Sequence, residues 1–260
     1  MRNEDNGILI IPCAGVGERL RPITYQTPKS LIEFGRESIL ERLLKAFAKE
    51  GLKETVIIVG HFSDPIKKKI GKEFEGMDVK FIYNPFYPIT KQGHSVWLAR
   101  KYFENRVTYH VDGDILLDNR LVKKIVRSQY RNCLLVDDMV DIPYLTEEAV
   151  VVGQNGMVKC IAWDEEGQAL WKQKIPNIVG ESVGVIKLGP EASTAYSYEL
   201  DRFLRKGKTY LEAISAICLK FDIWYLSTEG LPWIEIDYPP DLERAKSKIY
   251  QEILNSEKEV

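Results

Sequence analysis

Four short apolar runs alternate with helical patterns through the first half of the chain, and this alternation is what most narrows the possible folds. The runs are GILIIPC (7–13), ETVIIVG (54–60), DVKFIYN (78–84) and the apolar start of RVTYHVDGD (106–114). Between and after them lie four segments with helical periodicity. SILERLLKAFAKEG is stopped at Gly51, and SDPIKKKIGKEF has Ser63 or Asp64 as N-cap and Pro65 in its first turn; SVWLARKYF and NRLVKKIVRSQY follow. Strands separated by single helices form βαβ units, because a crossover helix returns the chain to the edge it left and the next strand runs parallel. The spacing therefore predicts an α/β fold: a mostly parallel central sheet flanked by helices, Rossmann-like in layout. In such sheets ligands bind beyond the carboxyl ends of the strands.

The second half has a different rhythm. NCLLVDD, EAVVVGQNGMVKCIAWDEEGQAL and GESVGVIKLG read as short β segments with turn signals, Gln154-Asn155-Gly156 marking a hairpin. Helices are expected over ASTAYSYELDRFLRK and YLEAISAICLK, then a strand at DIWYLS. The closing WIEIDYPPDLERAKSKIYQEIL reads as a short strand, a Pro-Pro stop and a C-terminal helix N-capped by Asp241. No Ser/Gly linker, repeat or low-complexity tract separates the halves, so residues 1–260 read as a single domain with a β-rich second half.

Charge narrows the partners. Formal net charge is −2, so no global basic field suits nucleic acid or an anionic membrane, and phosphate chemistry would need a local cluster of cations. Cys13, Cys133, Cys160 and Cys218 are scattered with no metal-ligand spacing, which suits reduced intracellular thiols. The polar N-terminus and the shortness of the apolar run after it predict neither a signal peptide nor a membrane span. The expectation is a cytoplasmic protein.

The first strand leaves through the loop IPCAGVGERLRPITYQTPKS (11–30). Ala14, Gly15, Val16 and Gly17 let the backbone turn sharply with N–H groups pointing inward, a way to cradle phosphate oxygens. A plain tight turn uses the same glycines. The loop is not a Walker A motif, and Leu20 stands where a dinucleotide fingerprint has its third glycine. Arg19 and Lys29 add permanent positive charge, and Pro22 and Pro28 stiffen the loop that carries them.

With these residues in place, AGVGERLRPITYQTPKSLIEFGRESILERLL resembles the N-terminal signature of nucleotidyltransferases acting on sugar phosphates and phosphocholine. That pattern runs A-G-x-G-x-R-L-x-P-x-T, then P-K, then a helix containing I-L-E; Cys13 departs from it, where alanine is usual. The resemblance implies the glycosyltransferase A-type nucleotidyltransferase fold. Residues from about 1 to 118 would bind nucleotide, and those from about 119 to 260 would bind the acceptor. It further implies that Ala14, Gly15 and Gly17 wrap a nucleoside triphosphate, that Arg19 binds its β- and γ-phosphates, and that Lys29 binds phosphate between nucleotide and acceptor. Such residue types fit a reaction that brings two anions together.

Asp112-Gly113-Asp114 ends the fourth strand, and Glu235 and Asp237 lie on one face of a short strand far along the chain. Asp and Gly are also common in a solvated turn, but carboxylates converging from both places suit Mg²⁺. The resemblance makes Asp114 and Asp237 the metal ligands and leaves Asp112 and Glu235 as supporting or acceptor-contacting groups. It places Gln92, Gly93 and Ser95 beside the base and Glu181 beside the acceptor. Trp163, Trp171, Tyr196, Tyr198 and Trp233 are candidates for an aromatic cage around a quaternary ammonium, although aromatic residues of this kind equally serve as core.

The reading is a Mg²⁺-dependent nucleotidyltransferase. WIEID resembles the phosphocholine cytidylyltransferase branch and favours CTP with a phosphocholine, phosphonate or polyol-phosphate acceptor. A sugar-1-phosphate nucleotidyltransferase using UTP, dTTP or GTP is the alternative. A glycosyltransferase would explain the D-x-D but not Arg19 and Lys29, and a silent nucleotide sensor would not need both metal carboxylates.

Overall fold

The structure, a computed structural model, describes residues 7–90, 92–139, 149–162, 176–206 and 209–258. In chain order the strands and helices are β1 (Ile8–Cys13), β2 (Glu33–Phe34), β3 (Glu37–Ser38), α1 (Ile39–Lys49), β4 (Glu54–Val59), α2 (Ser63–Ile70), β5 (Glu73–Phe74) and β6 (Met77–Tyr83). Then come α3 (Gln92–Leu98), β7 (Thr108–Val111), β8 (Ile115–Leu117), α4 (Asn119–Arg127), β9 (Cys133–Asp137), β10 (Val150–Gln154), β11 (Met157–Ala162) and β12 (Ile178–Leu188). The chain closes with α5 (Pro190–Leu204), α6 (Tyr210–Cys218), β13 (Trp224–Ser227), β14 (Trp233–Glu235), α7 (Pro239–Arg244), a π-helical turn and α8 (Tyr250–Lys258).

One ten-stranded sheet runs through both halves in the order β10-β11-β13-β9-β12-β7-β1-β4-β6-β5. Strands β7, β1, β4 and β6 are parallel, as the strand–helix alternation requires. The unbroken apolar runs of Ile8–Ile11 in β1 and Val56–Val59 in β4 have a simple cause: alternate side chains feed two cores. Leu9, Ile11, Ile57 and Val59 pack with α1, α4 and the C-terminal helices, while Ile8, Ile10, Val56 and Ile58 pack with α3, α5 and α6. No helix among the described residues is long and apolar enough to cross a membrane.

The β segments of the second half extend this same sheet. The eleven-residue β12 runs antiparallel to both β7 and β9, joining the parallel part to the rest. Asn155 and Gly156, at φ of 52° and 81°, make the expected tight turn between β10 and β11.

Three of the boundaries that differ from expectation have a plain cause or a bearing on the site. The helix expected through Phe74 stops at Ile70, because Gly71 (φ 76°) ends it; Glu75 and Gly76, both at positive φ, then turn β5 back onto β6. The third helix begins at Gln92, so Gln92 and Gly93 open α3 and do not lie in the loop before it. Asp241 is not the N-cap of the C-terminal segment but lies inside α7. From there its carboxylate accepts from the backbone N–H groups of Asp237 and Tyr238, at 3.0 and 2.7 Å.

Candidate active site

The loop after β1 is held by its own side chains. Gly17 adopts φ 67°, where a Cβ would also come within 3.0 Å of the Thr24 methyl, so glycine is required there. The Thr24 hydroxyl donates to the Gly17 carbonyl at 2.6 Å, and single turns of 3₁₀ helix carry Arg19 and Lys29. The loop thereby presents two cations at the carboxyl end of β1.

Opposite them stand two carboxylates from remote segments. After Asp112 the chain bends through Gly113 into β8, and a Cβ at Gly113 would lie 2.6 Å from the Pro12 carbonyl oxygen and 2.7 Å from Cys13 Sγ. Only glycine allows the bend so close to β1. β8 then pairs antiparallel with β14, Ile115 opposite Glu235, and the Ile236 N–H donates to the Asp114 carbonyl at 3.1 Å. This short ribbon brings Glu235 and Asp237 to Asp114.

The result is a charge cluster. Lys29 Nζ donates to Asp114 Oδ2 at 2.7 Å and also to Asp237 Oδ1. Arg19 donates to Asp237 Oδ2 at 2.6 Å and lies over the Tyr238 ring, 4.9 Å from its centroid. Burial works against the Lys29 charge, but Asp114, Asp237 and Glu235 outweigh it and raise its pKa above the usual lysine value. Burial, with the charges of Asp114 and Asp237, pushes the Glu235 carboxyl well above the ordinary range.

Carboxylate oxygens of Asp114, Glu235 and Asp237 lie within 4.8 Å of one another, and Asp114 Oδ1 is buried with no hydrogen-bond partner among the described residues. An all-oxygen donor set of three converging carboxyl groups with an orphaned buried oxygen fits a hard divalent cation.

Next to the cluster opens a cleft lined by Pro12, Ala14, Gly15, Asn84, Tyr87, Thr90, Gln92, Ser95 and Asp114. It unites Ala14, Gly15, Gln92, Ser95 and Asp114, all picked out from sequence. Asn84, Tyr87 and Thr90 were not picked out, although Asn84-Pro85 signals the turn that sets them there. Ser95 is buried, and its hydroxyl accepts from Asn84 Nδ2 at 3.1 Å. Gly93 faces away, its missing Cβ leaving room for the Tyr210 N–H at 3.2 Å, so it serves the packing of α3 on α6.

Asp112 lies behind the cleft at 6% exposure. Gln92 Nε2 donates to its Oδ1, and the Tyr210 hydroxyl to its Oδ2 at 2.8 Å. Burial and the Asp114 charge push its pKa up to about 8. Neighbouring His110 is held down to about 3 by burial, so its imidazole is neutral.

The aromatic-cage residues scatter. Tyr196 is fully buried against Phe103 and His110, because α5 turns that face to the core, so as an open acceptor contact it is corrected. Trp233 is buried and donates to Asp137 Oδ2 at 2.8 Å, whereas Tyr198 is exposed. Trp163 and Trp171 lie outside the described residues. Glu181 stands on β12 opposite Asp137 and Val150. The Cys13 thiol is pushed up to about 12 by burial, which removes it as a nucleophile.

A family model described as "Nucleotidyl transferase" matches residues 8–132, the span from β1 through α4. The chain is 30% identical over 125 residues to choline-phosphate cytidylyltransferase of Streptococcus pneumoniae, covering 46% of this chain and 51% of that protein. It is 29% identical over 136 residues to D-glycero-alpha-D-manno-heptose 1-phosphate guanylyltransferase of Campylobacter jejuni, covering 51% of this chain and 58% of that protein. The matches thus span little more than half the length of these two relatives. In fold, the chain is similar to a solved CTP:phosphocholine cytidylyltransferase from S. pneumoniae, with TM-score 0.68 and 20% identity over 93% of this chain and 98% of that one.

Proposed function

Because the chain belongs to the nucleotidyltransferase superfamily, we propose that it is an enzyme that transfers CMP from CTP to a phosphorylated small molecule and releases pyrophosphate. The observation that carries this reading is the convergence of Arg19 and Lys29 with Asp114, Glu235 and Asp237 beside an open cleft.

An acceptor phosphate oxygen attacks the α-phosphorus, and the bond from that phosphorus to the bridging oxygen of pyrophosphate breaks. The nucleophile is already an anion, so no general base is needed; the barrier lies in bringing two anions together. Lys29, kept protonated by its carboxylate neighbours, neutralises the reacting phosphates. Arg19 stabilises the departing pyrophosphate, and the backbone from Ala14 to Gly17 cradles the triphosphate. Asp114, Glu235 and Asp237 would hold Mg²⁺, which when bound supplies positive charge to the phosphate oxygens. The likeness to a cytidylyltransferase and the WIEID segment favour CTP and a phosphocholine, phosphonate or polyol-phosphate acceptor.

The likeness to a guanylyltransferase favours a second reading, in which a sugar 1-phosphate is the acceptor and UTP, dTTP or GTP the donor. A matrix of triphosphates against phosphocholine, a phosphonate, a polyol phosphate and hexose 1-phosphates, with Mg²⁺ and pyrophosphate release as readout, separates the two. CTP turnover with a non-sugar acceptor is expected. Turnover with hexose 1-phosphates alone selects the second reading, and no pyrophosphate with any pair overturns both.

A further inference from the structure

The cleft beside the charge cluster is small. It encloses about 120 Å³, well below the roughly 300–1,000 Å³ of pockets that take a drug-sized ligand whole. Ala14 and Gly15 line it where the triphosphate is proposed to lie, so what is left has room for one end of a nucleotide and little else. Of its lining residues, Tyr87 carries the largest side chain and the one aromatic ring.

Tyr87 is braced from behind. A Cβ at Gly60 would lie 2.8 Å from Tyr87 Cβ and 2.7 Å from the Ala14 carbonyl oxygen, so the chain leaving β4 is pressed against two walls of the cleft at once. Only glycine allows that approach. The next residue ties the same two walls together. The His61 N–H donates to the Ala14 carbonyl at 3.0 Å, and the His61 ring stands 5.7 Å from that of Tyr87 and 4.2 Å from that of Phe62. Pro88 restricts the Tyr87 backbone from the other side. The loop around Tyr87 is closed by bonds of its own. The Asn84 N–H donates to the Val59 carbonyl at 2.8 Å, the Phe86 N–H to Asn84 Oδ1 at 2.9 Å, and the Thr90 hydroxyl to the Phe86 carbonyl at 2.8 Å. A wall packed and bonded in this way resists the insertion of further atoms.

We propose that Tyr87 sets the width of the base pocket, so that the site takes triphosphates with a single-ring base and excludes those with a fused double ring, pyrimidines over purines. This rests on the nucleotidyltransferase reading above and adds a specificity-determining residue to it. It is indifferent to which pyrimidine is used, and it removes GTP from the second reading. A single ring fits beside Tyr87, whereas the second ring of a purine needs the space that the Tyr87 side chain fills. A tyrosine that only packs its loop would, when truncated, weaken binding of every triphosphate alike; one that sets the width changes the ratio between bases.

The test needs no knowledge of the acceptor. Equilibrium binding of CTP, UTP, GTP and ATP, each with Mg²⁺, is measured by calorimetry on the full chain and on three variants. Wild type binds the better pyrimidine about tenfold or more tighter than either purine. Tyr87→Phe keeps that ratio, because the ring stays. Tyr87→Leu and Tyr87→Ala open the pocket and shrink the ratio about tenfold, through tighter purine binding; should Tyr87→Ala fail to fold, Tyr87→Leu decides. A wild type that binds a purine as tightly as a pyrimidine overturns the proposal. So does a ratio lost in Tyr87→Phe, or one that survives truncation unchanged; the nucleotidyltransferase reading then stands. Failure of wild type to bind any triphosphate overturns both.

Discussion

Lys29 holds a charge in a place where burial works against it. Its ammonium is stabilised by Asp114 and Asp237, and those carboxylates are in turn kept from mutual repulsion by Lys29 and Arg19. Removing either sign leaves the other uncompensated. Lys29→Ala and Asp237→Ala are therefore each expected to cut turnover about a hundred- to a thousandfold while far-UV circular dichroism stays native. Near-wild-type pyrophosphate release from either variant would break the proposed assignment. Arg19 and Lys29 are legible in the sequence through their charge and the prolines that stiffen their loop, whereas Asp114 and Asp237 are set apart from the neighbouring carboxylates only by the family resemblance. Tyr196 is not an open aromatic, because which way an aromatic side chain on α5 points is decided by the partner it packs against, here Phe103 and His110. Asn84 is not legible in the sequence for a related reason: its work, bridging Thr90 and Ser95, exists only once the loop has closed.

At the scale of elements, the decisive unit is the ribbon of β8 and β14, three residues on each side. Strand signals for WIEID and an acidic turn after the fourth strand are both visible in the sequence. Their pairing is not, because nothing local says which remote strand a short apolar run will find. The bend at Gly113 makes the pairing possible, and that gives a test. Gly113→Ala drives a methyl against the Pro12 carbonyl and Cys13 Sγ, so it is expected to cost about 1–3 kcal/mol in urea unfolding and to displace Asp114. Gly15→Ala makes the opposite case. Its Cβ meets nothing within 4 Å and its φ is ordinary, so stability should hold within about 0.5 kcal/mol. Triphosphate affinity should still fall, because the methyl stands where the backbone is proposed to approach phosphate. Equal effects of the two substitutions on stability would show that the bend is not under the constraint described.

At the scale of the molecule, one sheet carries both halves. The expected division into a parallel half and a β-rich half describes the sequence rhythm, but β12 fuses them by pairing with β7 on one side and β9 on the other. That junction buries Asp112 and His110 side by side, and the two respond oppositely to pH. Asp112 rises from its ordinary 3.8 to about 8, so its folded form holds a proton that the unfolded chain has lost. Its contribution is fully present below pH 4 and is lost as pH climbs through about 8. His110 falls from 6.5 to about 3, so the unfolded chain binds a proton that the folded form refuses. Its contribution is present above pH 6.5 and is lost as pH falls towards 3. Between about pH 4 and 6.5 the two slopes, each at most about 1.4 kcal/mol per pH unit, cancel. From pH 6.5 to 8 Asp112 is left unopposed by His110, and Glu235, also raised, pulls the same way. The stability of wild type relative to Asp112→Asn, from urea unfolding across pH 4–8.5, should therefore decline with pH and level off above about 8. The same difference taken against His110→Gln should rise from about pH 3 to 6.5 and then level. A flat curve for Asp112→Asn would mean that the carboxyl is ionised in the fold throughout, with Gln92 and Tyr210 enough to hold its charge.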